Sequence, residues 1–145
     1  MNQHYELDAS VVHKTWNKGI EPRLTIESGD TISFGTRDAA DLYYSPTSVS
    51  EDIEKRGPFV GHPLTGPVYV RDAAPGDVLA IEVRAMEFTS SFGWTAVRKG
   101  RGLLPDRDVH GPYLQIWDIT DGKYARMPQR DDIAVPIAPF AGIMG

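Results

Sequence analysis

Val68-Tyr69-Val70-Arg71-Asp72-Ala73-Ala74-Pro75-Gly76-Asp77-Val78-Leu79-Ala80-Ile81-Glu82-Val83-Arg84-Ala85 is the stretch that decides how this chain is read. Leu79, Ile81, Val83 and Ala85 share one face of an extended segment, and Glu82 and Arg84 share the other. Ala74-Pro-Gly-Asp77 has the composition of a turn. The pattern predicts a β-hairpin joining Val68–Val70 to the segment after Asp77. Upstream, Leu24 and Ile26 alternate with polar neighbours, Ser28-Gly29-Asp30 supplies a turn, and Ile32 and Phe34 resume the period of two, which predicts a second hairpin. Downstream, Tyr113 to Ile119 is rich in β-formers, Asp121-Gly122 is a strong hairpin turn, and Ile133, Val135 and Ile137 alternate again.

Fourteen glycines and eleven prolines leave room for little helix. Between Asp38 and Arg56 one short helix is expected, capped by Ser50, with acidic residues in its first turn and Lys55-Arg56 at its end. Ser91 to Gly111 reads as a long glycine-rich loop carrying Trp94, Arg98, Lys99, Arg101 and Arg107. The fold class expected is all-β, an antiparallel sandwich or barrel with irregular loops and at most one short helix. At 145 residues the chain has the length of one domain or part of one. Its ending, Pro139-Phe-Ala-Gly-Ile-Met-Gly145, is an apolar stretch that a folded protein would be expected to bury against further polypeptide.

Composition narrows the function classes. The net charge is −5 and no run of Lys or Arg forms a face, so nucleic acid is not an expected partner. No cysteine is present, which removes disulfides, thiolate metal sites and a cysteine nucleophile from this chain. No apolar run would span a bilayer and no signal-peptide pattern opens the sequence; the expectation is a cytoplasmic protein without a membrane partner. Gly-x-Ser-x-Gly, His-Glu-x-x-His and the phosphate-binding glycine loop are all missing. The four histidines, His4, His13, His62 and His110, include no pair at local metal-binding spacing, so no metal ligand is assigned within the chain.

Of these, His62 stands out. Gly61-His-Pro-Leu-Thr-Gly-Pro67 holds it between glycine and prolines just before a strand, which suits a side chain aimed at a reacting group; a hydrogen bond to a loop carbonyl is the plainer role. Asp38, beside Arg37, is open to three readings: a general base, a carboxylate behind the reacting groups, or a turn cap. Tyr43, Tyr44, Trp94 and Trp117 could line a pocket or pack as core and cross-strand partners.

His62-Pro-Leu-Thr-Gly-Pro-Val-Tyr-Val70 followed by Ala74-Pro-Gly-Asp-Val-Leu79 resembles the acetamidase/formamidase family of amide hydrolases. Leu24-Thr-Ile-Glu-Ser-Gly-Asp30, Thr36-Arg-Asp-Ala39, Gly93-Trp-Thr95, Gly102-Leu-Leu104 and the ending Val135-Pro-Ile-Ala-Pro-Phe-Ala-Gly-Ile-Met-Gly145 extend the likeness along the chain. The resemblance implies a sandwich of jelly-roll character and hydrolysis of small aliphatic amides such as formamide or acetamide, releasing ammonia and a carboxylate. It implies catalytic roles for His62 and Asp38 and substrate contacts for Thr65, Tyr44 and Trp94. Residues 1–145 would then be the amino-terminal portion, completed by a carboxy-terminal half or a second chain, in a homo-oligomer. No cofactor is identified, and any divalent metal would take its ligands mainly from outside this chain. The chain departs from the family pattern at Ala40-Asp-Leu-Tyr-Tyr44, where relatives place Gly-Gln, and carries no counterpart of the later Gly-Gly-Asn and Asp/His motifs. The reading from another class is a non-catalytic β-sandwich that binds a small ligand through Tyr43, Tyr44 and Trp94, or a structural subunit.

Overall fold

The structure, a computed structural model, describes residues 2–103, 105–106 and 111–145. Leu104, Arg107 and His110 lie outside the described residues. The chain is all-β, with one short helix among the described residues, and it divides into two units, one of Met1–Tyr43 with Pro58–Ala80 and the other of Tyr44–Gly57 with Ile81–Gly145.

The first unit is built from three separate strand pairs. Strand β1 (His4–Leu7) runs parallel to β4 (Thr31–Phe34), β2 (Val12–His13) pairs antiparallel with β5 (Leu64–Thr65), and β3 (Leu24–Ile26) runs parallel to β6 (Val68–Val70). The expected hairpin of residues 24–34 is therefore not formed, although its turn is. Asp30 N–H donates to the Glu27 carbonyl at 3.2 Å and Gly29 has φ 91°. The reason lies in Asp30. Its carboxylate accepts from the backbone N–H of Glu27 and from that of Gln3, 2.8 Å away, so the turn is tied to the residue before β1. Thr31 N–H then donates to the Gln3 carbonyl and β4 follows β1. On the other side Arg71 N–H donates to the Ile26 carbonyl and the Arg71 guanidinium meets Glu27 at 2.6 Å, which fastens β3 to β6.

The expected hairpin across residues 74–77 is likewise corrected. Its turn is present, with Asp77 N–H donating to the Ala74 carbonyl and the Asp77 carboxylate accepting from Ala74 N–H. No strand follows it: the residues from Val78 to Ser90 belong to no strand or helix, and β6 is occupied by β3.

The second unit holds a four-stranded sheet in the order β10-β9-β8-β7. Its strands are β7 (Phe92–Val97), β8 (Tyr113–Asp118), β9 (Tyr124–Met127) and β10 (Arg130–Pro136), every neighbouring pair antiparallel. The Asp121-Gly122 hairpin is observed: the Asp121 carboxylate accepts from Lys123 and Tyr124 N–H, and Gly122 has φ 66°. Residues 92–97, expected in a loop, instead pair with 113–118 in continuous register, because Gly93, Thr95 and Val97 alternate opposite Trp117, Gln115 and Tyr113. Helix α1 (Asp52–Lys55) is where the sequence places it. Ser50 does not cap it; the Ser50 hydroxyl accepts from Leu114 N–H at 3.0 Å and ties the helix to β8. Ile53, Leu114 and Ile119 are buried in this unit, as is Gln115, whose amide is satisfied by Tyr113, Gln129 and the Ile116 carbonyl.

Candidate functional site

His62 belongs to the segment that enters β5. Gly61 before it has φ 110°, and a Cβ there would lie 2.3 Å from the Lys14 carbonyl oxygen, so only glycine lets the chain pass this close to the end of β2. The His62 ring is half-buried and stands edge-on to Phe59 with centroids 4.9 Å apart. Among the described residues it takes no hydrogen bond, so the loop-carbonyl role is not what the structure shows. Thr65, three residues on, pairs with Val12 and donates its hydroxyl to the Gly35 carbonyl at 2.6 Å. That bond joins the His62 segment to the chain leaving β4.

Asp38 opens the turn that follows. One carboxylate oxygen accepts from Ala40 N–H at 2.7 Å and the other from Leu42 N–H at 2.9 Å, while its carbonyl accepts from Asp41 N–H. The carboxylate thereby supports two left-handed residues, Asp41 at φ 59° and Leu42 at φ 61°. Of the three readings open from sequence, turn capping is the one the geometry displays.

The residues that sequence reasoning passed over are Lys14 and Asp41. Lys14 Nζ lies 2.6 Å from one Asp41 carboxylate oxygen and Arg37 Nη1 lies 2.9 Å from the other, with all three side chains a quarter to a third exposed. These two cations hold the Asp41 carboxyl below the usual carboxylate range, Lys14 contributing most. Arg37 also donates to the carbonyls of Ala9 and Ser10. Lys14 therefore touches both halves of the site: its carbonyl faces Gly61 and its ammonium holds the turn that Asp38 opens. The i, i+4 spacing of Arg37 and Asp41 was a readable signal; nothing local pointed to Lys14.

Nearby, the Asp8 carboxylate accepts from the Ser10 hydroxyl and N–H and from Arg23, which lower its pKa to about 2, Ser10 having the larger share. Arg23 continues to the carbonyls of Asp8 and Val11. The strip from Asp8 to Lys14 is thus held by arginine side chains from two other segments.

Tyr44 and Trp94 lie in the second unit, where they pack on each other with centroids 4.7 Å apart and planes tilted by 56°. Tyr44 is only 6% exposed, as a core aromatic would be. A half-open depression of about 310 Å³ in the same unit is lined by Asp118, Arg126, Met127, Pro128, Arg130 and Asp131. Arg126 is paired with Asp121 and Arg130 with Asp132, so its cations are already matched. It contains none of the residues singled out from sequence. Among the described residues no three His, Asp or Glu side chains converge. No described helix is long and apolar enough to cross a membrane.

Comparison with known proteins gives a consistent picture. Residues 1–145 match the profile of the Acetamidase/Formamidase family. A Schizosaccharomyces pombe protein designated a formamidase by inference is 27% identical over 106 residues, 70% of this chain and 25% of its own. An acetamidase of Bacillus halodurans, 21% identical, superimposes with a TM-score of 0.72 over 90% of this chain and 42% of its own. A protein of the thermophile Thermoanaerobacter tengcongensis, predicted to be an acetamidase/formamidase, is 27% identical with a TM-score of 0.71 over 94% of this chain and 43% of its own. The chain thus spans a quarter to less than half the length of these relatives.

Proposed function

The chain belongs to the acetamidase/formamidase family, and from that premise we propose that it forms the amino-terminal part of a hydrolase of small aliphatic amides such as formamide or acetamide. The observation that carries this reading is the match of all 145 residues to the family, within which His62 has a half-buried ring, a fixed entry and no hydrogen-bond partner among the described residues. Amide hydrolysis needs a group that takes a proton from water as oxygen bonds to the carbonyl carbon. It needs donors for the oxyanion, and an acid for the nitrogen as the C–N bond breaks. An imidazole can perform the first and last of these in turn. His62 is assigned that proton transfer.

Asp38 is assigned to the same site, where its carboxylate keeps the 38–42 turn in its left-handed course beside Arg37 and Asp41. Thr65 spends its proton on Gly35, so what remains for a substrate is a hydroxyl lone pair, which suits an amide N–H rather than a carbonyl oxygen. Oxyanion stabilisation is left to groups of the carboxy-terminal half that the longer relatives carry. The products are ammonia and the corresponding carboxylate.

The test is ammonia release from formamide, acetamide and a broader panel of amides, using this chain followed by the carboxy-terminal part of the family. Turnover of at least one small aliphatic amide is the expected result. A folded protein inactive across the whole panel would overturn the reading.

A further inference from the structure

We infer that Ile81–Phe88 is a β-strand whose sheet partner is an extended segment of the carboxy-terminal half of the family's longer chain. The inference rests on the reading that this chain is an amino-terminal part.

Three observations meet in this segment. The first is its pattern. Ile81, Val83 and Ala85 alternate with Glu82 and Arg84, the period of a strand with one face meant for burial. The second is its exposure. Ile81 is 71% and Val83 51% exposed on that face, and Phe88, on the other face, is 53% exposed. The third is its backbone. Among the described residues, Ile81 to Thr89 neither donate nor accept a backbone hydrogen bond, and the one polar contact is the Arg84–Glu82 ion pair at 3.5 Å. The segment has the N–H and C=O groups of a strand and, among the described residues, no ladder to place them in.

An extended apolar edge left open is a template for pairing with other chains, and proteins commonly shorten, charge or cover such edges. Here Glu82 and Arg84 lie on the face opposite Ile81, Val83 and Ala85, and Glu87 puts a charge only at the far end of the 81/83/85 face. The occupant is assigned to the carboxy-terminal half because this chain spans 42–43% of its two solved relatives, so more than half of each related chain lies outside the part matched here. A strand from that half would supply backbone partners and an apolar face at once, as in strand addition.

The experiment is amide hydrogen exchange read by mass spectrometry on peptides covering residues 79–89. It compares the 145-residue chain with a fusion in which the carboxy-terminal part of the Thermoanaerobacter tengcongensis relative follows Gly145. The chain alone should exchange at these amides at nearly the rate of an unstructured peptide, and the fusion at least about a hundredfold more slowly. Val83→Pro should remove that protection while leaving the thermal unfolding of the chain alone unchanged, since Val83 N–H has no partner there. Should the fusion fail to fold, the same comparison is made on the relative itself, whole and cut after the part that matches this chain. Fast exchange of the segment in the folded longer proteins would overturn the inference. So would slow exchange in the chain alone; if that protection rises with concentration, the occupant is a second copy. Because exchange is read without substrate, a protected strand in a fusion that releases no ammonia would sink only the amidase reading. Ammonia release with an unprotected segment would sink only the strand.

Discussion

His62 and Asp38 were singled out together, and at the scale of single residues they now differ in kind. His62 has a fixed approach and a ring with no hydrogen bond among the described residues, whereas Asp38 has both carboxylate oxygens engaged by backbone N–H groups. On the proposed reading, in the chain followed by the family's carboxy-terminal part, His62→Ala is expected to lower the rate of ammonia release by about 10²–10⁴-fold, the usual range for losing a general acid–base group. The melting temperature should change little; equal losses of rate and stability would make the residue structural. Asp8 makes a different kind of prediction. Its carboxyl titrates at about 2 in the folded chain against 3.8 ordinarily, because its charged form accepts from Ser10 and Arg23. The folded state therefore binds fewer protons than the unfolded state between these values. The stabilisation is fully present above 3.8 and is lost as pH falls towards 2. Acid unfolding followed by circular dichroism should start at higher pH, and show a weaker dependence below 3.8, in Asp8→Asn. An identical acid profile would show that Asp8 is not held as described. Sequence inspection singled out His62 through its glycine and prolines. It could not find Lys14, because a lysine becomes part of a site only when folding brings its ammonium to Asp41 and its carbonyl to Gly61.

At the scale of elements, the site depends on how closely β2 and the residues before β5 approach each other. Gly61→Ala would introduce a Cβ 2.3 Å from a backbone oxygen that cannot swing aside, at a φ of 110° that other residues rarely adopt. The expected cost is about 1–3 kcal/mol of unfolding free energy, measured by urea denaturation. It should come with loss of the β2–β5 pairing, seen as faster exchange of the Val12 and Thr65 amides. A neutral Gly61→Ala would mean that the approach is looser than drawn. The helix is the opposite case, an element found at its expected position for an incomplete reason. Acidic residues in its first turn and a lysine in its last agree with the sequence reading. Ser50, the natural candidate for its cap, instead spends its hydroxyl on Leu114, a residue far along the chain whose arrival no local pattern announces.

For the whole molecule, the prediction follows from the chain's length relative to its relatives. Because it spans 25–43% of its relatives' length, the 145-residue chain by itself is expected, on the proposed reading, to release ammonia from formamide at least about a hundredfold more slowly than the chain followed by the family's carboxy-terminal part. Comparable rates would show that the site is complete within these residues. Apolar residues near the end of the chain belong to the same question: Phe140 is 82% and Met144 61% exposed, so the burial expected for them does not occur within this chain. The sequence by itself determined the all-β character, the position of the one helix and the turns at 28–30, 74–77 and 121–122. Each of these follows from a local property: the period of two, a left-handed glycine, or a carboxylate within reach of its own backbone. Only the tertiary structure decided which strands meet. Alternation tells a strand which face to bury but not which neighbour to take, and parallel partners such as β1 with β4 and β3 with β6 must be brought together across long connections. Where turn and partner are adjacent in sequence, as around Asp121-Gly122, the hairpin formed as read; where Asp30 could reach Gln3 instead, the same kind of turn led elsewhere.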